Sequence, residues 1–133
     1  MICLDTCFII DLLRGLKDAE RKTREIDDTE GAAISVISIF ELSVGLGTLD
    51  NRKSRERAAI LQSVIDKLLV LQLDQDSVEE AARIMLESRL RGKPVQQNDA
   101  LIAGTCISRG IRTLVTRDVR RFSGIGEIRA EPY

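Results

Sequence analysis

Along the chain, short apolar runs that break off at a polar residue alternate with longer stretches in which apolar positions recur every three or four residues. The first run, Ile2-Cys3-Leu4, stops at Asp5-Thr6. A few apolar residues followed at once by a helix-start signal predict a strand buried on both faces. Comparable runs occupy residues 33–37, 70–73 and 113–116, and a weaker signal for a fifth strand falls near Ile128.

Between these runs the period is helical. Thr6 is placed to cap a helix with Phe8, Ile9, Leu12 and Leu13 on one face and Gly15 as its stop. Residues 18–28 form a charged amphipathic stretch, and Ser38-Ile39-Phe40-Glu41 fits a capping box opening the next helix. Residues 51–68 present Ala59, Ile60, Leu61, Val64, Ile65 and Leu68 on one broad face. Asp76 is placed to cap a helix from Ser77 that buries Val78, Ala81, Ala82, Ile84, Met85 and Leu86. That helix ends at Gly92 and Pro94. From Ala100 a run of small and apolar residues predicts an enclosed helix, with Asn98 or Asp99 at its start. This order predicts an α/β fold in which a mostly parallel sheet is covered on both faces, a three-layer α/β/α sandwich. No linker or repeat interrupts residues 1–133, so one domain is expected.

Composition changes the picture mainly by what it removes. The 133 residues contain no histidine, which excludes Ser-His-Asp, Cys-His and two-histidine chemistries and leaves carboxylates with hard cations as the route to hydrolysis. A net charge of -1 provides no global field for nucleic acid, so binding would rest on local basic groups. Three cysteines, Cys3, Cys7 and Cys106, lack Cys-x-x-Cys spacing and stand in apolar contexts, as buried thiols do. No apolar run has membrane-spanning length and no signal-peptide pattern opens the chain, so a cytoplasmic protein without membrane association is expected. Phe8 and Phe40 read as core, which leaves no aromatic platform for stacking on bases.

The candidate chemistry lies in four acids. Asp5, Glu41 and Asp118 follow predicted strands, and Asp99 opens the enclosed helix. In open α/β sheets ligands bind outside the carboxyl ends of the strands, so convergence of these acids there is a functional signal. Each alone also reads as a helix cap or turn residue. Basic residues that could meet RNA phosphates are Arg52, Arg55, Arg117, Arg120 and Arg121. An Asp-based phosphoryl-transfer domain is an alternative, but Cys7 stands where a phosphatase wants a second aspartate, and Arg117 follows Thr116 where a receiver wants lysine. A non-catalytic module binding RNA or protein is a further alternative.

Leu4-Asp5-Thr6, residues 37–42, Gly92-Lys93-Pro94 leading to residues 99–103, and residues 114–118 with Phe122 together resemble PIN-domain proteins, more closely the VapC-type toxins of toxin-antitoxin pairs. That resemblance spans essentially the whole chain. It implies a PIN-like fold and a Mg²⁺- or Mn²⁺-dependent endoribonuclease cleaving single-stranded RNA to leave a 5′-phosphate and a 3′-hydroxyl. It further implies a homodimer and inhibition by a cognate antitoxin. By the same resemblance the acidic set maps onto Asp5, Glu41, Asp99 and Asp118 and the neighbouring hydroxyls onto Thr6 and Thr116; the expected roles are Asp5 and Asp99 as primary metal ligands, Asp118 assisting directly or through water, Glu41 holding a second cation or its water, and Thr6 and Thr116 as outer partners. Relatives often carry aspartate or histidine before the phenylalanine, where this chain has Arg120-Arg121. Crowded carboxylates repel, so at least one acid is expected to have a raised pKa without metal.

Overall fold

The computed structural model describes residues 1–27, 31–47 and 51–133, and Asp28, the last residue of the charged amphipathic stretch expected above, lies outside them. Five strands form one parallel sheet: β1 (Ile2–Leu4), β2 (Ala32–Ser35), β3 (Leu69–Leu71), β4 (Thr113–Val115) and β5 (Arg129–Glu131). Their order is β3-β2-β1-β4-β5. The helices are α1 (Thr6–Leu13), α2 (Lys17–Asp27), α3 (Val36–Gly47), α4 (Arg52–Ile65), α5 (Gln75–Leu90) and α6 (Gln97–Ile107).

Alternation along the strands divides the interior in two. Cys3, Ala33, Leu71 and Leu114 face a cluster completed by α5 and α6, including Ala81, Ile84, Ile102, Ala103 and Cys106. The next residue on each inner strand, Leu4, Ile34 and Val115, faces the opposite cluster with Phe8, Ile9, Leu42 and Leu61 from α1, α3 and α4. Period-two side-chain alternation thus builds the three layers expected from the sequence. The three cysteines are free and buried.

Several local expectations shift. The second strand ends at Ser35, not residue 37, and the Ser35 hydroxyl accepts the Ile37 amide at 3.2 Å. The helix therefore starts one turn early, and Ser38 lies inside it with a buried hydroxyl rather than at a capping box. Asp5, not Thr6, is the N-cap of α1. Asp74, not Asp76, caps α5, accepting the Ser77 amide at 3.0 Å. The third strand ends at Leu71 rather than 73. The fifth strand near Ile128 is present.

Burial also departs from the sequence pattern. In α5 it is Ser77, Ala81, Ile84 and Ser88 that are buried, while Val78, Ala82, Leu86 and Leu90 form an exposed row on the outside. Phe40, expected in the core, is 60% exposed, whereas Phe122 is buried. In α4, Ala59 and Ile60 are exposed, and Leu61 carries the buried face. Helix α6 approaches α5 closely at Gly104, where an added Cβ would meet the Ser77 carbonyl oxygen at 2.5 Å. Only glycine allows this contact, which fixes the helix that carries Asp99.

Candidate active site

The strand order reverses direction about β1 and β4, so their carboxyl ends flank the crevice at which parallel α/β sheets bind ligands. Leu4 pairs with Val115 in register. The residues that follow, Asp5 and Thr116, therefore emerge side by side, tied by the Asp5 amide donating to the Val115 carbonyl at 3.0 Å.

Asp5 is fully buried. It occupies an N-cap position, yet its carboxylate makes no capping bond. Its Oδ2 instead accepts from the Thr116 hydroxyl at 2.8 Å, the Cys7 thiol at 3.2 Å and Arg121 Nη1 at 3.3 Å. Its Oδ1 is buried with no hydrogen-bond partner. A buried carboxylate oxygen without a donor is costly, and a cation is the usual remedy.

Asp99 lies in the first turn of α6 and is 2% exposed. It does not cap the helix, whose N-cap is Gln96. Both of its oxygens are engaged by Arg121, with Nε donating to Oδ2 at 3.1 Å and Nη2 donating to Oδ1. Burial raises the Asp99 pKa above the usual carboxylate range. Arg121 opposes that rise, and the neighbouring charges of Asp5 and Glu41 add to it. The raised acid expected from the sequence is therefore present, although desolvation rather than mutual repulsion leads it. With Arg121 as partner, the aspartates are already neutralised in part.

Glu41 is half-buried on α3. The Thr6 hydroxyl donates to its Oε1 at 2.8 Å, and the Asn98 amide reaches its Oε2 at 3.5 Å. Since Ser38 is not a cap, Glu41 has no capping role, and its partners come from α1 and α6. Asp118 is exposed at the start of a 3-10 turn, Val119–Phe122, and its backbone amide donates to the Thr116 hydroxyl at 3.2 Å. Asp5, Glu41 and Asp99 thus share one end of the sheet with the Thr6 and Thr116 hydroxyls, and Asp118 joins through the backbone.

The arginines named from the sequence divide. Arg121 bridges Asp5 and Asp99, and Arg117 donates twice from Nη1 to Asp11, at 2.8 and 2.6 Å. Arg52 pairs with Glu56 on the surface of α4, and Arg55 and Arg120 are exposed. Sequence reasoning missed Asp11, Cys7 and Asn98. It also missed Arg14, which lines a cleft of about 190 Å³ together with Glu41 and Arg57, the latter from the basic cluster at the start of α4. Arg14 has no local signal, because α1, α3 and α4 meet there only in the fold.

Among the described residues no three His, Cys, Asp or Glu side chains close into a ready-made metal cage. The donor chemistry nonetheless fits a hard cation: two buried carboxylates, one orphaned oxygen, and a positive guanidinium already bridging them.

The chain belongs to the PIN-domain family, whose model matches residues 2–128. Within it, the chain is similar to the tRNA(fMet)-specific endonuclease VapC of Salmonella typhimurium, being 33% identical over 107 residues that cover 80% of this chain and 78% of the relative. Among solved structures it is similar to DNA-bound VapBC from the same organism, with a TM-score of 0.83 and 29% identity over 99% of this chain and 98% of the other. VapBC2 from Rickettsia felis, bound to a promoter DNA fragment, shares the fold at a TM-score of 0.87 and 21% identity, covering 100% and 99% of the two chains.

Proposed function

We propose that this chain is a metal-dependent endoribonuclease and the toxin of a toxin-antitoxin pair, acting as one domain over residues 1–133. The observation that carries the catalytic reading is the buried Asp5–Asp99 pair with Asp5 Oδ1 left without a donor. Kinship with VapC endonucleases supports RNA as substrate, and tRNA(fMet), named for the Salmonella relative, is the first RNA to test.

Asp5 and Asp99 would hold the cation, with Asp118 contributing from the turn. When bound, Mg²⁺ or Mn²⁺ supplies Lewis-acid polarisation of the phosphodiester and lowers the pKa of a water. Thr116 and Cys7 orient Asp5 through its Oδ2, and Thr6 and Asn98 orient Glu41. Glu41 then directs the attacking water and takes its proton. The water oxygen bonds to phosphorus as the bond to the 3′ oxygen breaks, and the departing oxygen takes a proton from solvent, leaving a 5′-phosphate and a 3′-hydroxyl. Arg14 and Arg57 beside Glu41 form a basic wall for the phosphate chain, and Arg52, Arg55 and Arg120 are further exposed cations for it.

The partners follow from the same reading. A small antitoxin is supported by the VapBC assemblies formed by the solved relatives. An apolar groove of about 400 Å³ between α3 and α4, lined by Ile39, Leu46, Leu61 and Ile65, suits an amphipathic partner helix. A homodimer would cover exposed apolar residues such as Phe40, Val44 and Leu86. No described helix is long and apolar enough to cross a membrane, and the proposed site of action is the cytoplasm. The test is RNA cleavage by purified protein: activity lost in EDTA and restored by Mn²⁺ is expected, and metal-free cleavage at an undiminished rate would overturn the mechanism.

A further inference from the structure

Arg121 occupies a place that the proposed chemistry needs for something else. Its guanidinium lies in a fork across both oxygens of Asp99 and donates again to Asp5 at 3.3 Å. Both carboxylates are buried, while the arginine side chain is 31% exposed. It is therefore a surface arm laid into a buried acidic seat. The arm springs from the short 3-10 turn Val119–Phe122 and packs over the Phe122 ring, with its guanidinium carbon 5.4 Å from the centroid. Phe122 is buried, so the base of the arm is fixed while its tip can leave.

We propose that Arg121 is a built-in cationic plug, which neutralises Asp5 and Asp99 when no divalent ion is bound and must swing out before one can enter. The inference rests on the metal-nuclease reading and adds to it a residue of this chain that sets how readily metal is taken up. Two observations converge on it. The fork uses both oxygens of Asp99 and one of Asp5, so three of the four ligand atoms are spent. The one oxygen left over, Asp5 Oδ1, is buried where solvent cannot satisfy it. A guanidinium matches a carboxylate pair in charge but cannot polarise a phosphodiester as a metal ion does, so the plugged state is inactive. Asp118 immediately precedes the same turn, so withdrawing Arg121 and bringing in Asp118 would be movements of one segment.

The experiment compares Mn²⁺ binding, by paramagnetic resonance of the free ion and by calorimetry, in the wild-type protein and in Arg121→Gln. Removing the competitor removes the fraction of molecules in which the seat is taken, so the variant is expected to bind Mn²⁺ about tenfold more tightly. Arg121→Lys, which keeps the charge but not the fork, is expected to fall between. In the wild-type protein the Arg121 Nε–H proton should exchange slowly without metal, and saturating Mg²⁺ should abolish that protection. Equal or weaker Mn²⁺ binding by Arg121→Gln, or an Nε–H signal unchanged by Mg²⁺, would overturn the plug while leaving the metal site in place. Absence of Mn²⁺ binding by both proteins would overturn the metal-nuclease reading itself.

Discussion

Two buried aspartates near the same end of the sheet each hold an arginine, and they are built for opposite ends. Asp11, on α1, is buried and saturated: Arg117 donates to both oxygens and the Tyr133 hydroxyl donates to Oδ2 at 2.7 Å. Burial, with that bond to Asp11, raises the tyrosine pKa and keeps it neutral as a donor. Asp5 is buried to the same degree, yet one oxygen is orphaned and its arginine is shared with a second carboxylate. A buried charge that is fully hydrogen-bonded can stay as structure, whereas one left incomplete stores a demand for a ligand. The two Asp–Arg pairs differ in whether the carboxylate is left with an unfilled valence, and the proposed cation seat rests on that difference.

The largest expected effect breaks the comparison on the side of function. Asp5→Asn should lower RNA cleavage by roughly a thousandfold, the scale seen when a preorganised electrostatic group is removed, while Asp11→Ala should leave the chemical step close to wild type. A single-turnover cleavage assay on both variants would contradict the contrast if the losses were equal.

Stability should reverse the order. Asp11→Ala strands the Tyr133 hydroxyl and should cost about 2 kcal/mol, the scale of an unsatisfied polar group, because Arg117 is largely exposed and returns to water. Metal-free Asp5→Asn should cost less than that, since its oxygen was unpartnered already. Urea unfolding midpoints at equal slope would measure both.

Gly104→Ala reaches the Asp5 side of the comparison from a distance. The new Cβ would strike the Ser77 carbonyl and displace α6 from α5, costing about 2 kcal/mol by overpacking and moving Asp99 with it. Cleavage should fall along with stability, while the Tyr133–Asp11 contact on the opposite layer should keep its near-ultraviolet signature.

The pH dependence is a smaller effect with a definite sign. A carboxyl whose folded pKa is raised binds more protons folded than unfolded. The metal-free protein should therefore lose stability as pH rises from the ordinary aspartate range through the raised pKa of Asp99. Asp99→Asn should remove that part of the slope, and thermal melts across the range would show an unchanged slope if the burial account were wrong. Smallest of all, Arg52→Ala breaks an exposed pair with Glu56 and should shift stability by less than about 0.5 kcal/mol.

Much of the arrangement was legible in the sequence because the strands announce themselves. Each apolar run that stops at a polar residue set Asp5 and Thr116 at adjacent strand ends, and the register of β1 with β4 places them together. Glu41 was harder, since Ser-x-x-Glu is the usual mark of a capping box, and only the early helix start at Val36 frees it. Val78 and Leu86 read as core because an apolar row at helical spacing does not declare which side of the helix meets the sheet. The Asp11–Arg117–Tyr133 group had no signal as a group, because Asp11 lies more than a hundred residues along the chain from both of its partners. Arg121 was visible as a candidate phosphate contact and as an unusual residue beside a phenylalanine, but not as a partner of the acids, because that role depends on two acids gathered from β1 and α6.

The most direct test of the central claim, that the Asp5–Asp99 pair and not the Asp11 cluster is a cation seat, is a calorimetric Mn²⁺ titration of wild-type, Asp5→Asn and Asp11→Asn proteins. Saturable binding in the wild-type and Asp11→Asn proteins and its loss in Asp5→Asn is the predicted result. Binding by Asp5→Asn equal to wild type would contradict the account.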